Sequence, residues 1–194
     1  MGRSVLHTRD ALLDAAAELF AAGGARAVTM SAVARTAGAP SGSVYHRFPD
    51  RGTLLADLWQ RTADRFETDY HDRLGAAPTP ETAVGAAAWI VTWCRAEPAR
   101  AAVLHAGPRA FDPDTWPAAR IAEHAAARDR RDAALGAAVG SVAGATGVPA
   151  DEVSFALLGL PLAVVGQYLR APEPVPADAA DLVGRLAARL LGLA

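Results

Sequence analysis

A chain of 194 residues, 52% hydrophobic and 21% charged, is long and apolar enough to bury a core, as one large domain or as a small domain plus a larger one. A formal net charge of −2 excludes a globally basic nucleic-acid binder, so any anion-binding surface must be local. The single cysteine, Cys94, excludes an internal disulfide and a cysteine-rich zinc site.

The first ten residues, MGRSVLHTRD, hold no apolar stretch long enough for a signal peptide. Leu6 stands where a myristoylation signal takes Ser or Thr. Helical periodicity then runs nearly the whole length, with few β-branched alternations. A first helix starts after Thr8, a good N-cap, and stops at Gly23-Gly24, with Leu12, Ala16, Leu19 and Phe20 inward. A second follows Thr29 and stops at Gly38. A third covers about Ser41 to Phe48, and a fourth runs from Asp50 to about Leu74. The segment GAAPTP, from Gly75 to Pro80, breaks the pattern and is the best linker. Further helices are expected over Glu81–Glu97, Pro98–His105, Trp116–Ala145, Asp151–Arg170 and Asp178–Leu193. A proline-punctuated loop spans Pro108 to Pro117, and APEPVPAD makes a stiff connector before the last helix. The expected fold is all-α, with about nine helices and no sheet. The longest apolar run, Phe155 to Gly166, is too short to span a bilayer and contains Pro161, so no membrane partner is expected.

On a wheel at about 100° per residue, the third helix has two faces. Val44 and Phe48 point inward; Gly42 and His46 lie opposite, flanked by Ser43, Tyr45 and Arg47. Hydroxyls and guanidinium donate to phosphates, while Arg and His reach guanine acceptors. Gly42, without a side chain, permits close approach to a groove wall. Two short helices joined by a tight turn, Gly38-Ala39-Pro40, describe a helix-turn-helix. The start of the fourth helix, with free N–H groups and Arg51, suits a phosphate. Spacing alone leaves a second reading open: a four-helix subdomain whose polar faces are merely solvated.

The stretch ALLDAAAELFAAGGARAVTMSAVARTAGAPSGSVYHRFPDRGTLL, Ala11 to Leu55, resembles the DNA-binding domain of the TetR family of bacterial transcriptional repressors. The likeness rests on Phe20, Gly23-Gly24, Thr29, Val33-Ala34, Ala37-Gly38, Gly42, Val44-Tyr45, Phe48 and Leu54-Leu55. It covers about a quarter of the chain; the rest matches the family only in length and helical character. The resemblance implies a helix-turn-helix domain over residues 1–52, followed by an effector-binding and dimerisation domain over 53–194. It implies a cytoplasmic repressor that binds a palindromic double-stranded operator as a homodimer. A small-molecule effector of unidentified structure releases it.

Carried over residue by residue, the resemblance has Thr29 and Ser31 bind phosphate or a base edge. Ser41, Gly42, Ser43, Tyr45 and His46 face the groove, with Tyr45 on a phosphate. Arg51 stands where family members often have a phosphate-contacting Lys. Arg47 replaces the usual His or Tyr, and base, phosphate or neither remain open for it. Gly52 replaces a helix-favouring residue, at a cost of roughly 1 kcal/mol. The domain is near neutral, with nine Arg against nine acids through Arg73. The N-terminal arm, with Arg3 and His7, is either a minor-groove contact or a disordered tail.

In the second domain Trp89 and Trp93 share a helix face. They either fill a core or wall the effector pocket that the family opens between helices. Phe66, Trp89, Trp93, His124, Phe155 and Leu162 are the expected lining, with His105, Arg109 and Gln167 as polar anchors. Pro161 cannot donate to the Leu157 carbonyl, which is expected to face that pocket across a kink. The last two helices are apolar and rich in small residues. Gly159, Ala163, Gly166, Ala187 and Ala188 permit close helix approach, and Leu182, Leu186, Leu190 and Leu193 recur at helical spacing. Burial within one chain and a two-fold four-helix interface both account for them; with the resemblance, dimerisation is expected.

Nothing points to an enzyme. The five His show no metal spacing, Cys94 beside Trp93 reads as packing, and a glycine-rich phosphate loop needs a strand. Asp112 and Asp114 are a loop pair of carboxylates without an apolar pocket. No cofactor and no metal are expected.

Overall fold

The computed structural model describes residues 8–170 and 173–193, so Arg3 and His7 of the proposed arm lie outside the described residues. Among the described residues there are nine helices and no strand: α1 (Arg9–Ala27), α2 (Met30–Thr36), α3 (Ser41–Arg47), α4 (Arg51–Leu74), α5 (Pro80–Ala96), α6 (Pro98–Ala106), α7 (Ala118–Thr146), α8 (Ala150–Arg170) and α9 (Ala179–Leu190). Two short 3-10 turns, Pro108–Phe111 and Pro113–Thr115, lie between α6 and α7.

The local signals work as physical chemistry predicts. The hydroxyls of Thr8 and Thr29 accept the N–H of Ala11 and Ala32, both at 3.1 Å, and so cap α1 and α2. Thr79 and Thr82 close a capping box at the start of α5. Gly23 and Gly24 break α1 as expected, but one further helical turn carries it to Ala27. Gly24 and Gly38 both adopt positive φ, where a side chain would be strained.

The chain divides into two compact units, residues 1–64 with 99–126, and residues 65–98 with 127–194. The first is larger than a domain ending at residue 52. Its core joins Leu12, Leu13, Phe20, Val33, Val44, Phe48, Leu54, Leu55 and Leu58 to Val103, Phe111 and Trp116. Phe111 is fully buried and stacks on Phe20 with ring centres 4.3 Å apart. The Trp116 indole donates to the Phe111 carbonyl at 2.7 Å. Ion pairs tie the same segment down. Arg100 reaches Asp14 at 3.0 Å, Arg120 reaches Asp57 at 2.8 Å, and Arg9 also binds the buried Asp57. Burial raises the Asp14 carboxyl, but the hydrogen bond from Arg100 and the charge and hydrogen bond of Arg61 outweigh it and hold it below its usual value.

In the second unit α5 packs against α8 and α9 through Ala87, Ile90, Val91, Leu157, Val183 and Ala187. The α8 helix matches the expected Asp151–Arg170 to within one residue and extends beyond the apolar run on both sides. One 18-residue window within its 21 residues has a mean hydropathy of 1.5, so by length and composition alone it is long and apolar enough to cross a membrane. A core helix of a soluble protein has the same length and composition, and Val153, Leu157, Leu160 and Val165 are buried within this unit. The break expected at Pro161 takes the form of a π turn over Phe155–Gly159, where the Leu160 N–H bonds the Phe155 carbonyl. The Leu157 carbonyl, which Pro161 cannot serve, accepts the buried Tyr70 hydroxyl at 3.3 Å. That bond replaces the pocket-facing role expected for it. Cys94 is buried, which pushes its thiol up to about 12, so it is protonated and inert at neutral pH.

Candidate nucleic-acid interface

The α3 helix sorts its seven residues by chemistry. Val44, with Phe48 just beyond the helix end, is fully buried and fastens it to the core. Ser41, Gly42, Tyr45 and His46 are exposed, and Tyr45 keeps 57% of its surface in solvent. A phenol left this wet, on a helix anchored by its opposite face, is available for a hydrogen bond to a ligand. Thr29 and Ser31 are also exposed, with their hydroxyl oxygens 3.3 Å apart. Thr29 accepts the Ala32 N–H as a cap, and with one hydroxyl proton spent between Thr29 and Ser31 the pair keeps one to donate outward.

Arg47 and Ser43 are half-buried. One guanidinium nitrogen of Arg47, Nη1, donates to the Ser43 carbonyl at 3.0 Å and to the Ser43 Oγ at 2.8 Å. The side chain therefore folds back along its own helix.

At the start of α4 the groups expected to hold a phosphate have partners within the chain. Asp50 Oδ1 accepts the Thr53 N–H at 2.6 Å, so the helix supplies its own anionic cap. Arg51 turns inward. Its Nε donates to the Val28 carbonyl at 2.9 Å, its Nη2 to the Ala25 carbonyl at 2.7 Å, and its Nη1 to Asp112 at 2.9 Å. At the end of α1 the Ala25 carbonyl already accepts the Val28 N–H at 3.1 Å; Arg51 adds a second donor there and one to the Val28 carbonyl. Gly52 is buried rather than frayed. A Cβ built on it would lie 2.2 Å from the Thr115 carbonyl oxygen. The glycine admits the 3-10 turn at Pro113–Thr115, a role that helix propensity does not reveal. Asp112, between the two turns, is the one non-glycine residue with positive φ among the described residues, at 50°. Arg51→Ala is accordingly expected to lower stability by about 1 kcal/mol, through the lost bonds to the Val28 and Ala25 carbonyls, because Ala25 keeps the Val28 N–H and Asp112 is open to water. Its salt dependence of DNA binding should stay at the parental slope; denaturant unfolding and a salt titration check the two halves.

The residues expected to line an effector pocket separate. Phe66, Trp89 and Trp93 do meet, joined by Tyr70, one turn beyond Phe66 on α4 and not among the expected lining residues. Phe66 lies 4.9 Å from Trp93, 5.6 Å from Trp89 and 5.9 Å from Tyr70, centre to centre, and Arg73 sits over Trp89 at 5.4 Å. His124 belongs to the first unit, edge-on to Trp116 at 5.4 Å and to Trp59 at 6.3 Å. Phe155 and Leu162, 50% and 48% exposed, stand on the open face of α8.

The residues expected at a dimer interface also divide. Leu182 is 41% exposed, Ala163 is exposed, and Leu186 and Leu190 are half-buried. Gly166 is buried inside the unit. A Cβ on Gly159 would lie 2.4 Å from the Phe155 ring, so this glycine makes room for its own helix's phenylalanine. The π turn that brings the two together is not encoded in small-residue spacing.

Residues 12–58 match the family model described as bacterial regulatory proteins, tetR family. No curated protein matches the chain. Among solved structures, a TetR-like transcriptional regulator from Rhodococcus sp. RHA1 superposes with a TM-score of 0.68 at 21% identity, over 99% of this chain and 98% of that one. The TetR family transcriptional regulator PfmR from Thermus thermophilus superposes with a TM-score of 0.69 at 17% identity, over 93% of this chain and 97% of that one. At such identities the likeness is one of fold.

Proposed function

We propose that this chain, which belongs to the tetR family of bacterial regulatory proteins, is a cytoplasmic transcriptional repressor that binds a palindromic operator as a homodimer and leaves it when a small molecule occupies its second unit. The observation that carries the DNA-binding part is the division of α3, with Val44 and Phe48 held in the core and Ser41, Gly42, Tyr45 and His46 held out. A helix of this kind enters the major groove, and its partner helix α2 positions it on the backbone.

The dimer part rests on the apolar side chains of α8 and of α9 with its C-terminal extension. Phe155, Leu162, Leu182 and Leu193 are all more than two-fifths exposed in the single chain. Large side chains left wet on two adjoining helices favour burial against a second copy, in which two helices from each chain form a four-helix interface about a two-fold axis. The ring cluster of Phe66, Tyr70, Trp89 and Trp93 is the wall proposed for the effector.

The test is duplex binding with its salt dependence. Tyr45→Phe is expected to weaken binding to all sequences alike by about fivefold, the loss of one hydrogen bond. His46→Ala is expected to change sequence preference instead. Sedimentation is expected to show a dimer at micromolar concentration. A chain that shows no salt-dependent duplex affinity defeats the DNA-binding part, and a monomer defeats the interface.

A further inference from the structure

From the fold-back of Arg47 we infer that Ser43 reads a base in the operator, and that Arg47 is the residue that positions it; this rests on the DNA-binding reading above. An arginine nitrogen has no acceptor capacity, so in the 2.8 Å contact Arg47 Nη1 donates and Ser43 Oγ accepts. The second bond of the same nitrogen, to the Ser43 carbonyl at 3.0 Å, fixes the guanidinium on the helix. The Ser43 hydroxyl therefore has one lone pair engaged and its proton left to donate. An isolated serine hydroxyl rotates and reads donors and acceptors alike. This one is poised as a donor, between Gly42 on one side and Tyr45 and His46 on the other.

A hydroxyl poised as a donor matches the acceptors of the major groove: guanine O6 and N7, thymine O4 and adenine N7. It disfavours the amino groups of cytosine and adenine, which are donors. Arg47 thereby influences sequence choice through Ser43, without a phosphate of its own. At Gly42 a Cβ would meet nothing within 4 Å inside the chain, so the space beside Ser43 is open to a groove wall.

The full chain is first used to select its preferred duplex from a randomised pool. Affinities are then measured for Ser43→Ala, Ser43→Thr, Arg47→Met and the Ser43→Ala/Arg47→Met pair, at several salt concentrations. Ser43→Ala and Arg47→Met are expected to lose about fivefold of discrimination at one and the same base pair of each half-site. The double variant is expected to lose no more than either alone. Ser43→Thr, which keeps the hydroxyl, retains the preference. The salt slope of Arg47→Met stays parental.

A slope reduced by about 0.9 per head with base preference intact makes Arg47 a phosphate contact and overturns the inference. Loss of preference at two different base pairs, or none in Ser43→Ala, overturns it as well. Should Arg47→Met fail to fold, the comparison of Ser43→Ala with Ser43→Thr decides, and equal behaviour of those two overturns the donor role. A parent chain that selects no duplex fails the underlying reading before any variant is measured.

Discussion

Phe111→Ala is expected to cost the first unit about 3–5 kcal/mol, the usual range for a buried phenylalanine truncated in a core. The ring is fully buried, stacks on Phe20 at 4.3 Å and lies 5.6 Å from Trp59. Removing it leaves a cavity bounded by aromatic groups that cannot easily close over it. Nothing in the DNA-reading helix itself is touched. Urea unfolding of the full chain measures the loss, and thermal unfolding should fall by on the order of 10 °C. DNA affinity should weaken only where the head begins to unfold. A change below about 1 kcal/mol in urea would mean that Phe111 is not part of the head's core in solution. The site lies far along the chain from α1–α3, so the result tests whether residues 99–126 belong to the DNA-binding unit.

Gly52→Ala separates two opposed effects at one position. In an exposed helix the change is favourable by roughly 1 kcal/mol, because alanine is the better helix former. Here the added methyl would stand 2.2 Å from the Thr115 carbonyl oxygen, well inside contact distance and against backbone rather than a side chain that can swing away. Overpacking of this kind costs about 1–3 kcal/mol, and its upper end is expected because the neighbouring turn is pinned by the Arg51–Asp112 pair and by Trp116. The variant should therefore be the less stable protein in denaturant unfolding. A more stable Gly52→Ala would return Gly52 to the role assigned by propensity alone, a frayed helix start.

Arg51 shows most clearly where sequence reasoning stops. Its position beside a helix start, with a family precedent for a phosphate-binding cation, makes a DNA contact the natural expectation. The structure turns it to the Ala25 and Val28 carbonyls and to Asp112. One of those partners is 61 positions away, and no local pattern reveals it. The one local hint is Gly52, since a glycine in a helix's first turn marks either a weakness or a close approach. Gly159 carries a similar lesson. Its lack of a side chain looks like an invitation to a partner helix, and the space is used by Phe155 four residues earlier.

Arg47 runs the other way, because its partner is local. Ser43 sits four residues before it, on the same side of α3. The spacing is legible as an i, i+4 pair, but the departure from the family pattern draws attention to what Arg47 lacks rather than to its neighbour.

By itself the sequence determined what depends on neighbours within a few turns. The period of apolar residues set the helices, Thr8 and Thr29 set two of their starts, and Gly38 set the turn before α3. The two faces of α3 follow from the same short-range arithmetic of about 100° per residue, and so does the helix-turn-helix. The tertiary structure alone decided which distant surfaces meet: that Phe111 completes the head's core, that Arg51 donates to the Val28 and Ala25 carbonyls, and that Phe155 and Leu162 stand outside the ring cluster of Phe66, Trp89 and Trp93. The physical reason is that capping and periodicity are local free energies written into adjacent residues. Long-range packing is a choice among many apolar faces of similar composition, and it is settled by shape: a ring that fills a gap, or a glycine that admits a carbonyl.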